Sequence, residues 1–402
     1  MKHNPRIEIL GNETEVTKEM DRIGVDPRGI ELMAPKALFQ TIKLEDVNST
    51  AANILKQEML SLDGDAAVAR GVIDHSVDRS DVLLIGNIKN YRGLIQKLKK
   101  QPFGLDTISQ EIEEVLNNVT YGANLTLSCG RYTIDLSKRT HIMGILNVTP
   151  DSFYDGGRFL KAGDAISRAE EMVKEGVDII DVGGESSRPG SDPIPADEEV
   201  RRVLPVVKNL VRELDIPISV DTYKAAVARA VLDEGAAIIN DISGLKFEED
   251  IAGVIAGYDA GVVVMHTPDR PGTMQENPHY ESLFSEIISY LRTSIEKGIE
   301  NGIKPDKFII DPGIGFGKRK WDNLRILKNL PELKSLGRPI LIGISRKSFI
   351  GKTLGLPVEE RLEGTLAAAA AGVLNGAHIL RVHDIKEISR VVRMLDAVRG
   401  CY

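Results

Sequence analysis

From about residue 141 onward the chain alternates short β-branched runs with longer helical stretches, and it does so eight times. The runs are "IMGILNV" (142–148), "VDIIDVG" (177–183), "IPISVD" (216–221), "AAIINDI" (236–242), "GVVVMH" (261–266), "KFIID" (307–311), "PILIGIS" (339–345) and "HILRVH" (378–383). Most are continuously apolar rather than alternating, as strands of a parallel sheet covered on both faces should be. Segments such as "DAISRAEEMVKEG" and "AAVARAVLDEG" come after them, each ending in a glycine suited to a helix C-cap. Eight such units predict an α/β protein built on a closed (β/α)8 TIM barrel, with an open doubly wound sheet as the alternative. Just ahead, "LTLSCGRYTIDL" (125–136) reads as two short strands around a tight turn, a hairpin placed to plug the barrel floor.

A barrel uses about 250 residues. The chain has 402, so a second domain is expected: residues 1–122 as a small α/β N-terminal module of unknown role, and 123–402 as the barrel. In the module "ALFQTIKL" and "DVLLIGNI" read as strands, and "NSTAANILKQEMLSL", "YRGLIQKLKK" and "TISQEIEEVLNNV" as helices with polar caps. It shows no catalytic constellation; His75 and the "KLKK" run read as solvated surface.

A formal net charge of −8 argues against a nucleic-acid surface. Cys129 and Cys401 are the only cysteines, too few and too far apart for a disulfide scaffold or a zinc knuckle, so a reducing cytoplasm is the expected location. No signal peptide is evident at the N-terminus. The longest small-apolar stretch, "LAAAAAGVL" (366–374), is too short to cross a bilayer, and no membrane association is expected.

Active sites of such barrels lie at the C-terminal mouth of the strands. The residues at the end of each strand here are polar: Asn147; Glu185, Ser186, Ser187 and Arg188; Asp221; Asn240 with Asp241; His266; Asp311; Ser345, Arg346 and Lys347; Arg381 with His383. Taken singly each could be a cap or loop residue. Together they mix cations with carboxylates and amides, which implies two subsites. Lys347, Arg381, Arg188, Ser187 and His383 suit a phosphate or pyrophosphate. Asp221, Asn240 and Asp311 suit a flat heterocycle with amide-like edges. "DPGIGFGK" (311–318) lacks the GKS/T ending of a nucleotide P-loop and reads as a close-approach loop that lays Phe316 against a planar ligand. No cluster has zinc spacing. Magnesium needs only one or two protein oxygens when a pyrophosphate supplies the rest, and Asn147 is the expected donor.

Over about residues 125–400 the chain resembles the dihydropteroate synthases. The motifs "MGILNVTPDSFYDGG", "DVGGESSRPG", "IINDISG", "MHTPDRPGTMQ", "DPGIGFGK", "GISRKSFIG" and "RVHD" stand in that family's order on successive strands. The resemblance implies an enzyme of folate biosynthesis that joins 6-hydroxymethyl-7,8-dihydropterin pyrophosphate to para-aminobenzoate, transferring a pterinylmethyl group and releasing pyrophosphate. It implies pterin contacts from Asp221, Asn240, Met265, Asp311, Phe316 and Lys347, and magnesium and pyrophosphate handling by Asn147, Ser187, Arg381 and His383. Aminobenzoate would meet Phe153, Arg188, Pro189 and Ser348, under a first substrate loop containing Asp151, Ser152, Phe153 and Asp155. Asp155, Lys347, Arg381 and His383 are the expected catalytic groups, the cofactor Mg2+ and the assembly a homodimer.

Two departures from the family pattern stand out. Ser187 replaces the usual Thr but keeps the hydroxyl, and "HTPDRPGTMQ" differs from the commoner "HMQGxPxTMQ" at Thr267, Pro268 and the residues up to Gly272. The alternatives within reach of these residues are a methyltetrahydrofolate:corrinoid methyltransferase and a non-catalytic pterin-binding protein.

Overall fold

The structure is a computed structural model; it describes residues 3–122, 125–148, 162–187 and 190–400. Among these the chain forms two compact units that divide at residue 122.

The first unit begins with two helices, α1 (Glu13–Ile23) and α2 (Pro27–Ala37). Asn12 caps α1 by accepting from Glu15 N, and Asp26 caps α2 ahead of a proline at the first turn. Three antiparallel strands come next, β1 (Phe39–Asn48), β2 (Asp65–Val68) and β3 (Arg79–Asn87), in the order β1-β3-β2. Helices α3 (Ser49–Leu60), α4 (Ile88–Leu98) and α5 (Leu105–Leu116) complete the unit. Its own core includes Leu55, Met59, Leu84, Tyr91, Leu94 and Ile112, all fully buried. Lys97 and Lys99 of the basic run pair with Glu58 and Glu113, and His75 is exposed.

The second unit opens with the hairpin β4 (Thr126–Cys129) and β5 (Tyr132–Asp135), closed through Gly130 and Arg131. The eight barrel strands are β6 (His141–Asn147), β7 (Ile179–Gly183), β8 (Ile218–Asp221), β9 (Ile238–Asp241), β10 (Gly261–Met265), β11 (Phe308–Asp311), β12 (Leu341–Gly343) and β13 (Ile379–Val382). They pair in parallel in the order β11-β10-β9-β8-β7-β6-β13-β12, and a bridge from Ile310 to Ile340 joins the two ends into a barrel. The crossovers carry α6 (Ala162–Glu175), α7 (Ala196–Glu213), α8 (Ala225–Asp233), α9 (Ile251–Gly257), α10 (Leu283–Glu300), α11 (Lys320–Lys328), α12 (Ser348–Leu354) and α13 (Leu362–Leu374); α14 (Ile385–Arg399) succeeds the last strand. The eight expected strands are present; seven are shorter than the apolar run that announced them, and the first, His141–Asn147, starts one residue ahead of its run. Among the described residues no helix is long and apolar enough to cross a membrane.

Side chains in a strand alternate between faces, so every second residue points into the bore. Met143, Ile179, Ile238, Val263, Ile309, Leu341 and Ile379 form an apolar layer there with Leu127, Cys129 and Leu136 of the hairpin segment, which plugs the floor. Gly261 allows this approach: a Cβ at that position would stand 3.0 Å from Cys129 Cβ. The floor is therefore a packed core, and chemistry is confined to the other end.

Candidate active site

Two residues above five of the seven strand residues in the floor layer, the bore changes character. Above Ile179 stands Asp181, above Ile238 Asn240, above Val263 Met265, above Ile309 Asp311 and above Ile379 Arg381. The strand register puts Asp221 beside both Gly183 and Asn240, and Asn147 beside Gly183. Gly183 leaves room between its neighbours, since a Cβ there would lie 3.3 Å from Asn147 Oδ1 and 3.9 Å from Asp221 Cβ.

The side chains form one connected network. Arg381 Nε donates to Asp181 Oδ2 at 2.6 Å, and its Nη2 donates to Asp221 Oδ2 at 2.7 Å. Asn240 Nδ2 donates to the same Asp181 oxygen at 3.0 Å, leaving its own carbonyl oxygen for another partner. Burial works against the Arg381 charge, but Asp181 and Asp221 more than offset it and hold the guanidinium above its ordinary range. Burial pushes the Asp221 carboxyl upward against the pull of Arg381, and it pushes Asp311 upward against Lys347. Burial lowers Lys347 to about 8 despite Asp311. Lys347 Nζ donates to the Ile314 carbonyl and lies 4.8 Å from the Phe316 ring centroid. Phe316 in turn borders the apolar cluster of Tyr223, Ile242 and Met265 at the mouth.

The glycine loop after β11 is pinned from below. Asp311 Oδ1 accepts from Gly313 N at 2.7 Å, and Gly313 has φ +70° with its absent Cβ only 1.9 Å from the His266 carbonyl oxygen, so only glycine fits. Lys318 Nζ lies 3.0 Å from His266 Nδ1 and donates to the Phe316 carbonyl at 3.0 Å. Burial lowers Lys318 to about 7, and burial with Lys318 alongside keeps the His266 imidazole neutral. His266, packed on Tyr280 and Tyr290, is thus a structural residue rather than a ligand-facing one. Asp241 also turns away: it accepts from Ser243 N and Leu245 N and closes its own loop.

At the rim His383 Nδ1 lies 3.2 Å from Ser345 Oγ, and Ser348 is exposed at the first turn of α12. Ser187 lines a cavity of about 10 Å³ with Glu185, Glu199, Asp221, Thr222, Tyr223 and Ile242. Beneath it Lys224 is buried between Glu185, at 2.6 Å, and Glu199, at 2.5 Å, and Tyr223 OH donates to Glu185 Oε1 at 2.9 Å. Asp151, Ser152, Phe153, Asp155, Arg188 and Pro189 lie outside the described residues.

The bore thus brings together Asn147, Asp221, Asn240, Met265, Asp311, Phe316, Lys347 and Arg381; strand-end position points to all of these except Phe316, which comes from the glycine-rich loop, and Met265, which comes from the family resemblance. Sequence reasoning missed Asp181, which looked like an interior strand residue in "DIIDVG". Its signal was parity: it stands at the same height above the floor as Asn240, Asp311 and Arg381. The Lys224 pairing with Glu185 and Glu199, and that of Lys318 with His266, had no signal in local sequence.

A parallel eight-stranded barrel whose mouth holds a buried array of carboxylates, an amide and cations defines a class: barrel enzymes whose reaction site lies at the C-terminal ends of the strands. Residues 143–383 match the pterin binding enzyme family. The dihydropteroate synthase of Clostridium beijerinckii is 45% identical over 273 residues, which cover 68% of this chain and 99% of that protein. The crystal structure of dihydropteroate synthase from Clostridium difficile in the presence of pteroic acid superimposes with a TM-score of 0.62 at 49% identity, covering 66% of this chain and 98% of that one. A probable bifunctional folylpolyglutamate synthase/dihydropteroate synthase of Halobacterium salinarum is 38% identical over 380 residues, 94% of this chain but 45% of that protein, a match that must include most of the N-terminal unit. The chain belongs to the pterin binding enzyme family.

Proposed function

We propose that the protein is a dihydropteroate synthase, condensing 6-hydroxymethyl-7,8-dihydropterin pyrophosphate with para-aminobenzoate to give 7,8-dihydropteroate and pyrophosphate. The observation that carries this is the single network in which Arg381 meets Asp181 and Asp221 while Asp181 also holds Asn240.

Asp221, Asn240 and Asp311 offer acceptors and an amide to the polar edge of the pterin, and burial makes each unmet hydrogen bond costly, so rings lacking those groups are rejected. Met265 and Phe316 lie against its faces. Lys347 approaches the ring from the Phe316 side. Breaking the bond from the pterin methylene to oxygen puts negative charge on the departing pyrophosphate and positive charge on the carbon; Arg381 and His383, with Ser187 and Asn147, stabilise the former. Asp155, together with Phe153 of the same loop, serves the carbon. The aminobenzoate nitrogen attacks with its lone pair, being unprotonated at neutral pH, and sheds a proton after the new carbon–nitrogen bond forms. Ser348, Arg188 and Pro189 complete its pocket.

Among the described residues no group of three or more His, Cys, Asp or Glu could hold a metal. The donors present fit a magnesium ion that takes most of its oxygens from the substrate, with Asn147 as the protein ligand. When bound, it would supply charge neutralisation to the pyrophosphate. Homodimeric assembly and cytoplasmic residence belong to the same proposal; light scattering reads the first.

The test is a pyrophosphate-release assay with pterin pyrophosphate, para-aminobenzoate and magnesium, with dihydropteroate identified by mass. Pterin binding without product formation would refute the enzyme reading.

A further inference from the structure

Strands β12 and β13 pair with a constant offset of 38 residues: Leu341 with Ile379, Ile342 with Leu380 and Gly343 with Arg381. The backbone ladder then ends, but side chains continue the same offset. Ser345 Oγ lies 3.2 Å from His383 Nδ1 and accepts from His383 N at 3.3 Å. One step further, Arg346 forks onto Asp384, Nε to Oδ2 at 3.0 Å and Nη2 to Oδ1 at 2.8 Å. Two side-chain rungs thus tie the loops that carry Lys347 and His383.

The second rung is held in a conformation the chain would not choose unaided. Arg346 has φ +51°, a left-handed backbone that disfavours residues with a Cβ. It is held there by hydrogen bonds to its backbone and its guanidinium. Arg346 N donates to Thr365 Oγ1 at 3.0 Å, its carbonyl accepts from Arg361 Nη1 at 3.1 Å, and its Nη1 donates to the Glu359 carbonyl at 2.8 Å. Lys347 N donates to the Ile344 carbonyl at 3.3 Å, closing a tight turn across Ser345 and Arg346. Lys347 can then turn back to the Ile314 carbonyl and Phe316 while Ser348 opens α12.

We propose that Arg346 is a positioning residue for the condensation: through its backbone turn and its fork on Asp384 it fixes the distance between Lys347, over the pterin, and His383, at the pyrophosphate. It touches neither substrate itself. The inference rests on the dihydropteroate synthase reading and goes beyond it by naming what sets the spacing of two of its groups. A planar fork on a carboxylate constrains orientation as well as distance, which a lysine in its place would not do.

The test compares full-length wild type with Arg346→Gly, Arg346→Lys and Asp384→Asn for kcat/KM toward the pterin pyrophosphate and for thermal midpoint. Glycine accepts the left-handed turn but removes the fork; lysine keeps the charge and loses the fork. Asp384→Asn keeps the shape and carries the test if Arg346→Gly does not fold. Misplacement of reacting groups by about 1 Å costs on the order of 100-fold. The expected result is a loss of kcat/KM on the order of 10-fold to 100-fold for Arg346→Gly and Asp384→Asn in the folded protein, with Arg346→Lys between them and wild type. Folded variants with wild-type kcat/KM, or variants whose only defect is a lower midpoint, would overturn the clamp while leaving the site reading intact. Lys347→Ala and His383→Ala variants with wild-type kinetics would overturn the site reading, and the clamp with it.

Discussion

Arg381 on the last barrel strand reaches across the bore to Asp181 on the second, 2.6 Å from Nε to Oδ2, and with its other arm holds Asp221 at 2.7 Å. One guanidinium therefore ties three strands and occupies the centre of the candidate site. Removing it strands Asp181, fully buried, without a cation. Breaking a buried pair from one side costs about 3–5 kcal/mol, so Arg381→Ala should lower the denaturant midpoint markedly. Folded Arg381→Ala should also lose about 100-fold or more in kcat, as removed oxyanion donors do. Chemical denaturation and steady-state rates on one preparation check both; unchanged stability would mean that Asp181 finds another partner.

Asp221 and the lysines of the "KLKK" run provide a contrast in a single experiment. Asp221 lies in the bore, whereas Lys97 and Lys99 pair with carboxylates on the surface of the first unit. Asp221→Ala should abolish pterin binding measured by calorimetry. Neutralising Lys97, Lys99 and Lys100 together should leave turnover unchanged.

Much of the barrel was legible in the sequence because a buried parallel strand announces itself by continuous β-branched residues, and the polar residue that ends the run marks the mouth. Asn147, Asp221, Asn240, Asp311 and Arg381 were found that way. Asp181 was not, because a carboxylate inside a strand becomes meaningful only once the floor layer fixes which parity faces inward. The strand β2, "DAAV", is too short to show a pattern, and α1 and α2 were missed although Asn12 and Asp26 carry the cap chemistry. The left-handed turn at Arg346 left no trace in its neighbours, since the contacts that enforce it come from residues 359–384.

Lys347 supplies the pH dependence. Burial lowers it to about 8, so the cation opposite Asp311 is lost as pH rises through that value. kcat/KM for the pterin pyrophosphate should fall above pH about 8, because this ratio reports groups of the free enzyme. Lys347→Arg, whose charge does not titrate, should remove that alkaline limb even if its rate is lower. The stability sign is opposite: between about 8 and the ordinary 10.5 the unfolded chain holds a proton that the folded one has lost, so the empty protein gains stability with rising pH from this residue.

The barrel floor should separate stability from chemistry. Leu127 of the hairpin is fully buried in the floor layer, which lies below the reactive rim. Leu127→Ala should cost about 2–5 kcal/mol through the cavity it leaves while kcat of the folded protein stays at wild type. A large fall in kcat would show that floor packing is transmitted to the Asp181 layer two residues above.

The two units have separate cores, that of the first built from residues such as Leu55, Leu84 and Tyr91 and that of the second from the barrel. The Clostridium beijerinckii synthase is covered to 99% by 273 residues of this chain, leaving no room in that protein for a counterpart of residues 1–122. Every described residue assigned to the pterin or pyrophosphate lies beyond residue 140. A fragment of residues 123–402 should therefore fold and condense the two substrates at a rate per barrel equal to that of the full chain. The measurement pairs the pyrophosphate-release assay with a thermal melt of each protein, so that loss of folding is not mistaken for loss of chemistry. A fragment that melts cooperatively yet turns over poorly would show that the N-terminal unit contributes to the reaction, and its effect on each substrate's KM would tell which half of the site it serves.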